Sequence, residues 1–368
     1  MIRKVTEQDL KYMHLAIEEG YKHAGLTNPN PSVGTVIVKN GKIVAKACTA
    51  VGGRPHSEIV ALRKSQRQAK NSDVYVTLEP CAHYGVTPPC AVKLSEAGVR
   101  RVFVGVKDPN PKVNGKGIRI LKKNGIEVIA NVLPKESAEV NEWFFKKFHS
   151  AYPYVVLKSA ISLDGKIATY TGKSKWISSP DSLKYVHQLR QRFDAIIVGT
   201  HTLAVDNPSL NVRLPKTKRT PDKIILDRKG ELNQKLNVFQ TFGKERIFYF
   251  SHTKRKMPLN NKNIMVFQVG SQKGKLNLDE IFLILREHNI FSVLVEGGGQ
   301  LNASLLEAGL VDKVIFVIAP KIIGGEKSVS VVRGKNIDDL EEAISLRDIS
   351  VRQSGLDYIY TGFIKRYF

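Results

Sequence analysis

Three side chains able to bind a transition metal stand where a fold must gather them. His56 opens a helix with Ser57 and Glu58, and Pro80-Cys81 and Pro89-Cys90 lie just past a strand, at the start of the next helix. One imidazole and two thiolates make a three-ligand site. A closed structural site would need a fourth Cys or His, so three protein ligands leave one tetrahedral position open, which is the catalytic arrangement for zinc. A water can sit there, with its pKa lowered towards ~7, and nearby helix N-termini further favour thiolate and hydroxide. Glu58, two residues from His56, is placed to take a proton from that water and pass it to a ring nitrogen and then to departing ammonia. A lone H-x-E triplet arises by chance on helix surfaces, but with two prolyl-cysteines after a strand it is a strong signal. The bland alternative is a satisfied histidine with buried structural cysteines. Cys48 is expected to be a small apolar core residue.

The surrounding pattern is α/β. Thr6 caps an amphipathic helix carrying Leu10, Met13, Ile17 and Tyr21, and strands 34–38 and 43–47 flank an Asn40-Gly41 hairpin turn. A helix from Ser57, a strand 74–78, a helix 89–97, a strand 101–106, a short helix, a strand 126–130 and a helix 135–148 follow. With 368 residues two domains are expected, and a break near His149 to Pro153 gives 1–149 and 150–368. The second half reads as another α/β domain, with strands at 154–160, 195–198, 223–226, 246–250, 291–295 and 313–318 and an irregular lysine-rich stretch from Lys216 to Pro258.

Composition narrows the partners. Three cysteines, an odd count, suit a reducing compartment, and Met1 to Lys4 lead into no apolar signal segment, so a cytoplasmic protein is expected. No apolar run approaches the ~20 residues of a membrane-spanning helix, so no membrane partner is expected. The net charge of +23 would suit a nucleic-acid partner, yet the lysines are scattered through the whole chain. A solvated basic surface is favoured over nucleic acid, and phosphorylated small molecules would also benefit from the field.

Near the C-terminus a strand runs from Val293 through Glu296-Gly297-Gly298-Gly299 into a helix. Such a turn lets backbone N–H groups approach a phosphate at a helix N-terminus, although a tight structural turn would read the same way. It lacks the G-x-G-x-x-G spacing of a dinucleotide fingerprint.

Taken together, the eight residues between Cys81 and Cys90, Pro55-His56-Ser57-Glu58 and Asn30-Pro31-Ser32-Val33-Gly34 resemble the bifunctional deaminase/reductase of riboflavin biosynthesis. The resemblance continues through 157–165, 174–178, Arg190, 206–213 and 319–321. It implies a cytidine-deaminase-like α/β/α domain followed by a dihydrofolate-reductase-like α/β domain. It also implies Zn2+ and NADPH as cofactors and a phosphorylated pyrimidine as substrate. On that analogy His56, Cys81 and Cys90 bind zinc, Glu58 shuttles protons, and Asn30 and His83 hold the pyrimidine or its ribose phosphate. Ala160, Trp176, Thr202, Asp206 and the Gly298 turn would contact NADPH, while Ser174, Arg190, Leu210, Arg213 and Glu296 would hold the reductase substrate. Each has a plainer reading: Trp176 as a core anchor, Arg190 as a solvated helix face, Asp206 as a turn former. The sequence departs from the family at Val86, where a basic residue is usual, at Thr49, where a His is common, at Val60, where His or Asn is common, and at Asn207 in place of Asp. A base deaminase acting on nucleic acid shares the zinc motif but not the second domain. Oligomers are common among such enzymes, so a homodimer or higher homo-oligomer is expected.

Overall fold

The computed structural model describes residues 4–368 except 86, 215–218, 241–242, 254–261 and 273; Val86 and parts of the lysine-rich stretch therefore lie outside the described residues. The chain divides into two compact units, Met1–His149 with Tyr367–Phe368, and Ser150–Arg366.

In the first unit, helix α1 (Glu7–Tyr21) starts at a capping box: Asp9 N–H donates to Thr6 Oγ1 at 3.3 Å and Thr6 N–H to Asp9 Oδ2 at 2.8 Å. Its helical spacing puts Tyr12, Met13, Ala16 and Ile17 on one face, packed with Val36, Tyr75, Phe103 and Ile129. Strands β1 (Gly34–Lys39) and β2 (Lys42–Cys48) form the hairpin, with Asn40 and Gly41 both at positive φ as a two-residue turn requires. Then come α2 (Ser57–Ser65), β3 (Asp73–Leu78), α3 (Cys90–Glu96), β4 (Arg101–Val106), α4 (Lys116–Lys123) and β5 (Glu127–Ala130). The sheet order is β2-β1-β3-β4-β5, with β3, β4 and β5 parallel.

The single helix expected over 135–148 is two, α5 (Pro134–Glu139) and α6 (Glu142–Lys147). Asn141 breaks it. Its side-chain oxygen accepts from Ser32 N–H and its amide donates to Ser32 C=O, both at 2.7 Å, fastening the segment that carries Asn30. A side chain spent on distant backbone in this way competes with helix continuation.

Close approach of α1 to β1 depends on Gly34, where a Cβ would stand 1.8 Å from the Ala16 carbonyl oxygen. Gly34→Ala must therefore lever α1 off the sheet. We expect destabilisation of about 3 kcal/mol, read as a lowered denaturation midpoint; an unchanged midpoint would show that the helix yields freely.

The second unit begins with β6 (Tyr154–Ser162), β7 (Lys166–Ala168), α7 (Pro180–Arg192), β8 (Ala195–Gly199), α8 (Thr200–Asp206) and β9 (Asp222–Leu226). It continues with β10 (Ile247–Ser251), β11 (Ile264–Gln268), the short pair β12 (Ser271–Gln272) and β13 (Lys275–Leu276), α9 (Leu278–Glu287), β14 (Ser292–Val295) and α10 (Gly299–Glu307). Strands β15 (Lys313–Ala319), β16 (Val329–Ser330), β17 (Arg347–Ser354) and β18 (Asp357–Phe363) complete it. The large sheet runs β11-β10-β9-β8-β14-β6-β15-β18-β17, parallel from β11 to β15 and antiparallel at β18 and β17. Its inner parallel strands β10, β9, β8, β14 and β6 read as largely apolar runs because they are buried on both faces, whereas β11 at the edge is partly exposed.

Candidate active sites

In the first unit the parallel strand β3 delivers Pro80-Cys81 past its C-terminal end, and His56 is the N-cap residue of α2. The His56 side chain makes no capping bond, so its ring is free to face the cysteines. Cys90 begins α3 and its N–H donates to Cys81 Sγ at 3.2 Å, while Ala91 N–H donates to Cys81 C=O at 3.2 Å. His56 Nδ1 lies 3.7 Å from Cys81 Sγ and 3.4 Å from Cys90 Sγ, and the three ligand atoms all fall within 4.8 Å of one another. Zinc bonds of about 2.0 Å to nitrogen and 2.3 Å to sulfur place tetrahedral N and S ligands about 3.5 Å apart, so the residues fit the ion. The Cys90 thiol, donating to Cys81, holds that sulfur down at about 4 against the effect of burial, with His56 adding to the shift. One anionic sulfur is thus prepared for a cation.

Glu58 is buried beside this trio. Burial pushes its carboxyl up, against the opposing pull of His56. Ser57 Oγ donates to Glu58 Oε2 at 3.1 Å, and Thr35 Oγ1 lies 2.7 Å from Ser57 Oγ, so Thr35 must donate to Ser57. This two-hydroxyl relay fixes the carboxylate.

A cavity of about 160 Å³ brings Asn30, His56, Glu58, Cys81 and His83 together, with Thr49, Arg54 and Asp108 also on its wall. Asn30 Nδ2 donates to Gly53 C=O at 3.0 Å, and Thr49 Oγ1 accepts from Val33 N–H at 2.9 Å. Two carboxylates escaped the sequence reading. Asp108 is pushed up to about 7, chiefly by burial, with Glu79 and Cys81 adding to the shift. Glu79 accepts N–H groups from Asp108, Gly115 and Ile118 at 3.3, 2.8 and 3.2 Å, tying the 108–118 segment to the Cys81 turn. Only their nearness in sequence to the Pro-Cys motif and the Asp-Pro-Asn-Pro turn could have pointed to them.

In the second unit the carboxyl ends of β8, β9 and β14, with the outer half of β6, enclose a cleft of about 500 Å³, the usual ligand position on an open parallel sheet. It brings together Ala160, Ser174, Thr202, Asp206, Glu296 and Gly298, and it leaves out Trp176, Arg190, Leu210 and Arg213. Trp176 is 64% exposed, Leu210 is buried, and Arg213 reaches Asn211 Oδ1 at 3.2 Å. Gly299 is needed for close approach: a Cβ there would meet the Ser330 carbonyl oxygen at 2.4 Å. Ser174 Oγ donates to Asp206 Oδ1 at 2.9 Å.

Glu296 anchors the cleft floor. Arg190 donates to it through two nitrogens at 2.9 and 2.7 Å, and Lys158 Nζ stands 3.6 Å away. The third Arg190 contact, from Nη1 to Asn211 C=O at 2.8 Å, leaves that guanidinium committed to the protein. Burial alone would raise the Glu296 carboxyl, but the charges of Arg190 and Lys158 prevail and hold it at about 2, below its ordinary 4.5. A depressed folded-state value gives stability that is present above the unfolded pKa and lost as pH falls through the folded one. The stability of this unit should therefore be pH-insensitive on this account near neutrality and fall as pH drops from 4.5 towards 2. A midpoint that stays constant across that window would remove the linkage.

A metal-ready pocket with its own buried carboxyl in one unit, and a nucleotide-sized cleft at strand ends in the other, define the class: a deaminase joined to a reductase. Residues 6–106 match the cytidine and deoxycytidylate deaminase zinc-binding region, and residues 153–360 match the RibD C-terminal domain. The chain is 40% identical to the riboflavin biosynthesis protein RibD of Aquifex aeolicus over 99% of this chain and 100% of that one. It is 39% identical to the Bacillus amyloliquefaciens protein of the same name over 96% of each. Among solved structures it is similar to a diaminohydroxyphosphoribosylaminopyrimidine deaminase/5-amino-6-(5-phosphoribosylamino)uracil reductase from Thermotoga maritima. That likeness has 33% identity, covers 97% of this chain and 98% of that one, and has a TM-score of 0.84. RibD of Acinetobacter baumannii is 33% identical with a TM-score of 0.83, covering 97% and 99%. The chain belongs to the RibD family of bifunctional riboflavin-biosynthesis enzymes.

Proposed function

We propose that the unit spanning 1–149 hydrolytically deaminates 2,5-diamino-6-(5-phosphoribosylamino)pyrimidin-4-one, and that 150–368 then reduces the ribosyl group of the product to a ribityl chain with NADPH. The observation that carries this reading is the convergence of His56 Nδ1, Cys81 Sγ and Cys90 Sγ beside buried Glu58. The Thermotoga maritima protein, named for both activities, covers 97% of the chain.

His56, Cys81 and Cys90 would hold the zinc, which when bound supplies a Lewis acid that makes a nucleophile available at neutral pH. Glu58 accepts one proton of the attacking water and delivers it to the ring nitrogen, then carries the second proton, from the newly formed hydroxyl, to the departing amino group, so that ammonia leaves and the uracil carbonyl forms. The upward push of burial on Glu58 suits a group that must both take and give a proton. Asn30 and His83, on the cavity wall, orient the ring or its ribose phosphate.

In the second unit Ala160, Thr202, Asp206 and Gly298 line the cleft that receives NADPH, which when bound supplies the hydride. Ser174 and Glu296 face the same space and position the ring-opened sugar. Arg190 acts through Glu296, and Trp176, Leu210 and Arg213 would join the site only through movement of segments 174–178 and 207–213. Proximity and orientation supply most of what such a transfer needs.

Among the described residues no helix is long and apolar enough to cross a membrane. All three cysteines are free, which supports a cytoplasmic setting. A homodimer or higher homo-oligomer is supported by β17, exposed along most of its length with Ile349 and Val351 showing 53% and 57% of their surface.

The test gives each unit its own readout. Zinc-loaded protein is incubated with the diaminopyrimidine phosphate, ammonia is followed without NADPH, and NADPH oxidation is followed after its addition. Both signals are expected. NADPH consumption with supplied aminouracil substrate but no ammonia would confine activity to the second unit, and silence in both would overturn the assignment.

A further inference from the structure

Helix α6 is too short to hold its own place. It has six residues, and helices of that length are marginal unless packing fixes them. Yet α6 carries one wall of the deaminase cavity. Phe144 and Lys147 line it, with Phe148 just past the helix end, at the i, i+3 and i+4 spacing of a single helix face. The rings of Phe144 and Phe148 meet edge to face, their centroids 5.2 Å apart. At its start the helix is fastened through Asn141 to Ser32. Its other end is held by aromatic rings from far along the chain. The Phe145 ring lies 5.4 Å from that of Phe368, and His149 stacks on Tyr367 at 6.1 Å with 19° between the planes. Lys146 Nζ stands 5.8 Å from the Tyr367 ring centroid. Neither Phe145 nor His149 is on the cavity wall, so these contacts load the opposite side of α6. Tyr367 and Phe368 follow every element of the second unit in sequence but belong to the first.

We propose that Tyr367 and Phe368 are positioning residues of the deaminase: they brace α6 so that Phe144 and Phe148 bound the pyrimidine ring in the cavity that holds His56, Glu58 and Cys81. This role rests on the deaminase reading above and adds the residues that set the cavity wall. Aromatic rings suit a planar heterocycle, which they can meet by face or edge. In a cavity of only about 160 Å³ a small retreat of that wall loosens the fit. The wall meets the ring alike in the bound substrate and in the transition state, so its retreat should appear in KM and leave kcat nearly untouched. Mere support of the fold would behave differently, because its loss lowers the amount of active protein and hence kcat, with KM unmoved.

The experiment uses the full zinc-loaded chain carrying Tyr367→Ala together with Phe368→Ala, at two residues that line neither the deaminase cavity nor the reductase cleft. Ammonia release from the diaminopyrimidine phosphate should show KM raised about tenfold, the scale of one aromatic contact, with kcat within about twofold of the parent. NADPH oxidation with supplied aminouracil substrate should keep its parental KM and kcat. Amide hydrogen exchange should quicken over 142–149 and stay unchanged over 57–65, the helix that carries Glu58. Tyr367→Phe together with Phe368→Tyr keeps both rings and should keep the parental KM. An unchanged KM in the double alanine variant would overturn the positioning role and leave the deaminase reading standing. A fall in kcat at unchanged KM would do the same, since it marks support of the fold alone. A parent that releases no ammonia would overturn that reading and this role with it.

Discussion

Glu58→Gln should lower ammonia release by about a thousandfold, within the range that positioned acid–base groups contribute, while NADPH-dependent reduction of supplied aminouracil substrate continues at the parental rate. Glutamine has nearly the shape of glutamate and can still accept from Ser57 Oγ, so the Thr35–Ser57 relay and the start of α2 stay in place. What it cannot do is carry a proton. The substitution also removes a buried carboxyl whose charged form burial disfavours, so the folded state should be no less stable and zinc content should be unchanged. Zinc analysis, a denaturation midpoint and the two activity assays together check this. A fall in both activities would point to a folding defect, and full ammonia release would move the proton shuttle to another group, for which Asp108, held up at about 7 in the same cavity, is the nearest candidate.

The second large effect is expected in the other unit. Glu296→Gln leaves Arg190 and Lys158, both nearly buried, facing each other across a neutral amide. Removing one partner of a buried ionic cluster costs about 3–5 kcal/mol, mostly because the remaining charges are stranded. Denaturation followed by a probe in this unit should show that loss at neutral pH, and the acid weakening between 4.5 and 2 should vanish with the titrating group. Adding Lys158→Met should recover part of the stability by removing one stranded charge. If the double variant is no more stable than the single one, the cluster is not coupled as the distances indicate.

Much of this was legible in the sequence because periodicity and turn chemistry agreed locally. Asn40-Gly41 marked the hairpin and Thr6 the first helix, and the apolar runs at 195–198, 223–226 and 291–295 could only be strands buried on both faces. The metal trio was legible for a different reason: few residue types bind zinc, and three of them placed at strand and helix ends seldom converge by chance. What escaped depends on contacts between distant residues. Asn141 looks like an ordinary helix residue until Ser32 is seen to occupy its side chain. Strands β11, β17 and β18 were missed; in β17 the alternation is diluted by charged residues such as Arg347, Asp348 and Arg352. The reductase residues were the hardest to read. Whether Arg190 faces a ligand or a carboxylate is decided by Glu296, more than a hundred positions away.

The position of β6 in the nine-stranded sheet has a consequence for how the chain is made. β6 is the first strand of its unit to leave the ribosome, yet its neighbours are β14 and β15, which end at Val295 and Ala319. The five-stranded sheet, by contrast, has all its strands by Ala130. A growing chain can therefore carry a finished deaminase sheet while an apolar reductase strand waits with both edges unpaired through most of the remaining translation. Slowed elongation beyond residue 162 should expose the nascent protein to aggregation at β6 more than at any strand of the first unit.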